Sequence, residues 1–158
     1  MIVKEIRDED FTNYKKPSMV IGFPSCTFKC ERECGQKMCQ NSTLATAPDI
    51  EVSVENIVNR YLQNPITKAI IFGGLEPMDS WSDMVSLIDE FRKHTEDDIV
   101  VYTGYTMNEI CKKTYWLGNK YKNIIFKLGR FIPDQPPRYD ETLGIKLVSN
   151  NQYAVRIS

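Results

Sequence analysis

Four of the five cysteines in this 158-residue chain fall within fourteen residues, as Cys26, Cys30, Cys34 and Cys39 of SCTFKCERECGQKMCQNS. Thiols this close together, and odd in total, fit metal ligation or catalysis better than disulfide pairing. Four sulfurs on so short a loop repel one another as thiolates unless a cation holds them, so the loop asks for a metal. By spacing alone, the x3, x3, x4 run suits a closed tetrahedral zinc knuckle as well as an iron–sulfur cluster. The first is colourless and redox-silent; the second is neither. Cys111 lies far downstream in a helical-looking segment and reads as a packed thiol.

Two further stretches hold residue types that suit a ligand, FGGLEP (72–77) and YTGY (102–105). Gly73 and Gly74 allow close approach of backbone to a ligand, and Glu76 offers a carboxylate. Taken singly, each has an ordinary reading: a strand-to-loop turn, a solvated acid, Thr103 ending a strand, Tyr105 packing. Their conjunction carries the weight. Each follows an apolar run, and ligand sites of α/β sheets gather at the carboxyl ends of strands. The single histidine, His94, sits among charges near a helix end, which leaves no histidine-based triad to build.

The elements that must position these residues are legible in the periodicity. SMVIGFP (18–24), TKAIIF (67–72), DIVVYT (98–103) and NIIFKL (123–128) are short apolar runs that read as buried strands. Between them, Ser53 caps a predicted helix running to about Gln63, with Val54, Ile57, Val58 and Tyr61 on one face, and Pro65 stops it. Ser80 with Asp83 begins a second helix carrying Met84, Leu87, Ile88 and Phe91. Thr106 and Glu109 form a capping box that opens a third. In the tail, GIKLVS (144–149) and QYAVRIS (152–158) flank Asn150-Asn151, a pattern that predicts a hairpin. Strands alternating with helices predict an α/β fold, a mostly parallel sheet with crossover helices, to which the tail can add an antiparallel edge.

The chain has 20 Lys and Arg against 21 Asp and Glu, a net charge of −1, and is 42% hydrophobic. One domain spanning 1–158 is expected, of ordinary globular composition. Near-neutral charge argues against a phosphate-neutralising, nucleic-acid-binding surface. No apolar run approaches the roughly 18 residues needed to cross a bilayer, and MIVKEIRDED lacks an apolar signal core. The expectation is a cytoplasmic protein bound to neither nucleic acid nor membrane.

The motifs together resemble the radical S-adenosylmethionine (SAM) enzymes, and among them the small activating enzymes of anaerobic ribonucleotide reductase. That family's cluster loop, C-x3-C-x2-C-x-N, resembles Cys26-x3-Cys30 joined to Cys39-Gln40-Asn41. Its glycine-rich GG-(D/E)-P resembles Gly73-Gly74-Leu75-Glu76-Pro77, and its TGY resembles Thr103-Gly104-Tyr105. GRFI (129–132) and SNNQ (149–152) are similar to its closing segment. Two departures stand out: eight residues separate Cys30 from Cys39 where the family has two, and Leu75 interrupts GG-E-P. Cys34 is thereby a rival third ligand.

The resemblance implies a partial (β/α) barrel, one [4Fe-4S] cluster on Cys26, Cys30 and Cys39, and SAM held beside it. Met38, Asn41, Gly73, Gly74, Glu76 and Thr103 are the implied SAM-binding residues. The implied reaction is reductive cleavage of SAM to methionine and a 5′-deoxyadenosyl radical, an oxidoreductase chemistry supplied chiefly by the cofactors. The implied partner is the reductase large subunit, whose glycine Cα would lose a hydrogen to become a glycyl radical. Another glycyl radical enzyme or a peptide is an alternative target, and a non-catalytic iron–sulfur or zinc protein is the alternative class. Lys112, Lys113, Lys120 and Lys122 lie around Tyr115, Trp116 and Tyr121. They read as a solvated helix face, or as a dock for an acidic electron donor such as reduced flavodoxin.

Overall fold

Strands apolar at nearly every position must be covered on both faces. The computed structural model, which describes residues 1–158, builds its central sheet from four such runs. In chain order the elements are β1 (Ile2–Val3), β2 (Glu5–Asp10), β3 (Ser18–Phe23), α1 (Lys29–Cys34), α2 (Ser42–Ala45) and β4 (Ile50–Glu51). Then come α3 (Val54–Gln63), β5 (Ala69–Gly74), a 3-10 turn (Pro77–Ser80), α4 (Trp81–Arg92), β6 (Asp98–Tyr102) and α5 (Met107–Lys120). The chain ends with β7 (Ile124–Leu128), β8 (Arg138–Asp140), β9 (Ile145–Leu147) and β10 (Tyr153–Arg156).

Six strands form one mixed sheet in the order β10-β7-β6-β5-β3-β2. The inner four are parallel, and β2 and β10 are antiparallel edges on β3 and β7. Each parallel step moves to the next neighbour in the same direction, so right-handed crossovers set α3, α4 and α5 on one face. There Ile57, Tyr61, Leu87, Phe91 and Leu117 pack on Ile21, Phe72, Val101 and Phe126. The intervening strand residues Val20, Ile71, Val100 and Ile125 face the other way. They pack with Tyr14, Leu143 and Leu147, so the 11–17 connection and the β8–β9 hairpin cover that face. No helix is long and apolar enough to cross a membrane.

The helix starts follow local chemistry. Ser53 Oγ accepts the Asn56 N–H at 3.1 Å, and Thr106 and Glu109 close a reciprocal capping box at the start of α5. Ser80 differs from expectation. Its hydroxyl makes no cap and is buried without a partner, because a 3-10 turn intervenes whose first N–H groups are served by Glu76 instead. Pro77 fits at the head of that turn, where no N–H is needed.

The tail corrects the hairpin prediction. β9 pairs with β8, not with β10, while β10 pairs along β7, Val155 opposite Phe126. An unpaired β7 would leave a row of open backbone groups, and β10 fills it. Side chains hold the turn that makes this possible: Asn151 Nδ2 donates to Arg130 O at 2.8 Å, Gln152 Nε2 to Gly129 O at 3.1 Å. The charged run at 5–10, to which the sequence assigns no strand, covers the opposite edge as β2.

Candidate metal centre

β3 delivers the chain to the cysteine loop at the carboxyl edge of the sheet. The Thr27 N–H donates to Asp79 Oδ2 at 2.8 Å, and the Phe28 N–H donates to Cys26 Sγ at 3.2 Å. Phe28 takes a left-handed conformation, φ 51°, and starts α1. This six-residue helix ends at Gly35, whose φ of 71° turns the chain back. Glu31 then closes the excursion: its Oε1 accepts the N–H of Met38 at 3.2 Å and of Cys39 at 3.0 Å. The long spacer is therefore a short helix and a return, and Cys39 comes back beside Cys30.

All nine residues named for the site from sequence line one cavity of about 350 Å³ at the carboxyl ends of β3, β5, β6 and β7. Cys26, Cys30 and Cys39 form part of its wall with Met38 and Asn41; Gly73, Gly74, Glu76 and Thr103 form another part. Cys34, the last residue of α1, is not in that wall, nor is Cys111, which the sequence led us to expect packed but which is exposed on α5. Asn41 ties the two sides together, its Nδ2 donating to Gly74 O at 2.7 Å.

The two glycines differ. Gly74 has φ 84°, and a Cβ there would lie 2.6 Å from Gly22 Cα, whereas a Cβ on Gly73 would meet nothing closer than Tyr102 Cβ at 3.8 Å. Glu76 is buried and fully used by the fold. Its Oε1 accepts the Met78 N–H at 3.1 Å and its Oε2 the Gly104 N–H at 2.9 Å, and Thr103 supplies a side-chain hydrogen bond. The Thr103 hydroxyl also accepts the Tyr105 N–H at 3.0 Å. Glu76 and Thr103 thus lock the end of β5 to the end of β6. Burial nonetheless pushes the Glu76 carboxyl up to about 7.

The sulfurs sense one another. Burial pushes the Cys26 thiol up to about 11, helped by the charges of Glu76, Asp79 and Cys30. Burial and then the Cys39 charge raise Cys30. A bound metal reverses this balance and takes the thiols as thiolates. No group of three or more His, Cys, Asp or Glu side chains converges to hold a single ion. A four-iron cluster asks for something different, three sulfurs spread round a wall, each on its own iron. Cys26, Cys30 and Cys39 all line this cavity, a donor chemistry that fits such a cluster, and its volume is in the range of small-molecule sites.

Two cavity residues escaped the sequence reading. Lys127 is an ammonium without a carboxylate partner, over the Tyr102 ring at 5.7 Å, and burial lowers it to about 8. A lysine inside the apolar run NIIFKL was the available signal. Gln152 is buried with its Oε1 unpartnered; it ends the SNNQ stretch that the resemblance marks, but no site role is assigned to it from sequence.

A cysteine-lined cavity on the carboxyl edge of a mixed α/β sheet suits a protein that carries a metal cluster. The chain matches the family described as a 4Fe-4S single cluster domain over residues 19–151, and it belongs to that family. No curated protein and no solved structure matches it. The match spans the strands, the cysteine loop and the closing segment, so this is an iron–sulfur protein.

Proposed function

We propose that this protein is a radical SAM activase that generates a glycyl radical on an anaerobic ribonucleotide reductase. The observation that carries the reading is the single cavity into which three separated motifs, the cysteine loop, FGGLEP and YTGY, all contribute wall. In support, four parallel strands in sequence order carry their helices on one face, the arrangement of one side of a (β/α) barrel; the mouth of the cavity is the place proposed for a protein substrate.

Cys26, Cys30 and Cys39 would hold a [4Fe-4S] cluster, which would supply the electron for reductive cleavage of SAM. The chain's own residues bind and orient. Gly73 leaves room for the ligand, Asn41 fixes the Gly74 carbonyl, and Met38 offers an apolar contact for adenine. Glu76 holds the ends of β5 and β6 in register and, once ionised, adds a negative field for the methionine ammonium. Lys127 is the cation available to its carboxylate. That chemistry would end with a hydrogen atom removed from the partner's glycine Cα, giving 5′-deoxyadenosine and a glycyl radical. A reduced flavodoxin is the proposed donor.

The test is anaerobic incubation of the reconstituted protein with the reductase large subunit, SAM and reductant, read by electron paramagnetic resonance. A glycyl doublet is expected. Cleavage of SAM without that signal would move the activity to another target.

A further inference from the structure

We propose that Lys29, Glu33, Glu109 and Arg130 form a charge-balanced clasp that fixes the Cys26–Cys30 turn while cancelling the field of two cations beside the cluster. Arg130 grips Glu109 with both terminal nitrogens, at 3.0 and 2.7 Å, and its Nε reaches Glu33 at 3.1 Å. Lys29 pairs with Glu109 and, at 3.6 Å, with Glu33. Three chain segments are joined: the cysteine-bearing α1, the first turn of α5, and the residue pair after β7. Lys29 and Arg130 share a small cleft with Cys26 and Cys30. Both cations lie over the Tyr105 ring, at 5.9 and 5.8 Å. The Tyr105 hydroxyl in turn donates to Asp79 at 2.6 Å, so the Cys26 side of the turn is braced as well.

Charge near an iron–sulfur cluster, together with burial, sets its potential. An uncompensated cation favours the reduced, more negative form and raises the potential; an uncompensated carboxylate lowers it. Within the quartet two positive and two negative groups offset one another. The inference rests on a cluster carried by Cys26, Cys30 and Cys39 but not on SAM cleavage, so its test reads the cluster itself.

Reconstituted full-length protein is titrated redox-potentiometrically, with iron and sulfide counted in each variant. Glu109→Gln, which still closes the capping box, raises the midpoint by a tenfold shift in the reduction equilibrium, about 59 mV for one electron. Arg130→Gln lowers it by a comparable amount. The Glu109→Gln/Arg130→Gln double variant, neutral again, returns to the wild-type value. A merely mechanical clasp gives a different pattern: the double variant is then the worst, and the single variants shift together or not at all. That pattern, or loss of iron from both single variants, overturns the proposal. If only one single variant keeps its iron, the sign of its shift decides the matter: the predicted sign supports the clasp, and no shift or the opposite sign overturns it.

Discussion

Gly73 and Gly74 adjoin in sequence and serve opposite ends. Gly74 cannot carry a side chain, since its φ is 84° and the Gly22 backbone blocks the Cβ. Gly74→Ala is expected to cost about 3 kcal/mol or more in denaturant unfolding, from left-handed strain and overpacking together. Gly73→Ala should leave stability unchanged, because its methyl enters cavity space, yet weaken SAM binding at least about tenfold by calorimetry. Glu76 gives a pH signature. Its folded-state pKa, about 7, stands above the ordinary 4.5. Between those values the native chain keeps a proton that the unfolded chain has lost, so stability falls as pH rises through that window and is level above it. Unfolding of the metal-free protein should lose about 3 kcal/mol from this group across the window. Glu76→Gln should lack that slope; an equal slope in the variant would assign it to another residue.

Among the elements, α1 is one that the sequence conceals. The motif cysteines were visible, and so was the excess length between Cys30 and Cys39, but the closing contact is a carboxylate reaching two backbone N–H groups seven and eight residues on. No periodicity reports such a contact. Helix starts at Ser53 and Thr106 were legible because capping is local, written in side chains within three residues. The tail was misread for the converse reason: β10 serves the open edge of β7, a partner some 25 residues away in sequence, and Asn150-Asn151 gives no hint of it. The loop yields a direct prediction. Glu31→Ala frees the Met38 and Cys39 N–H groups and should lower iron content after reconstitution, as Cys39→Ala should more severely. Cys34→Ala should keep full iron. Loss of iron in Cys34→Ala with retention in Cys39→Ala would exchange the two cysteines' roles.

For the whole molecule, the sheet's strand order is what gathers the site. β3, β5, β6 and β7 end side by side, so residues as far apart in sequence as Cys26 and Gln152 share one cavity wall. The individual motifs could be seen in the sequence; their convergence rests on parallel pairing, which alternating helices and apolar strands implied but could not order. The helix-covered face carries the larger core, and the opposite face is closed only partly by the β8–β9 hairpin and the 11–17 connection. That asymmetry leaves the cavity accessible. The most direct measurement is anaerobic incubation of the reconstituted protein with SAM and dithionite, with 5′-deoxyadenosine quantified by chromatography. The account predicts 5′-deoxyadenosine in amounts that follow iron content and vanish in Cys26→Ala, Cys30→Ala and Cys39→Ala. A fully loaded four-iron cluster that leaves SAM intact would contradict it.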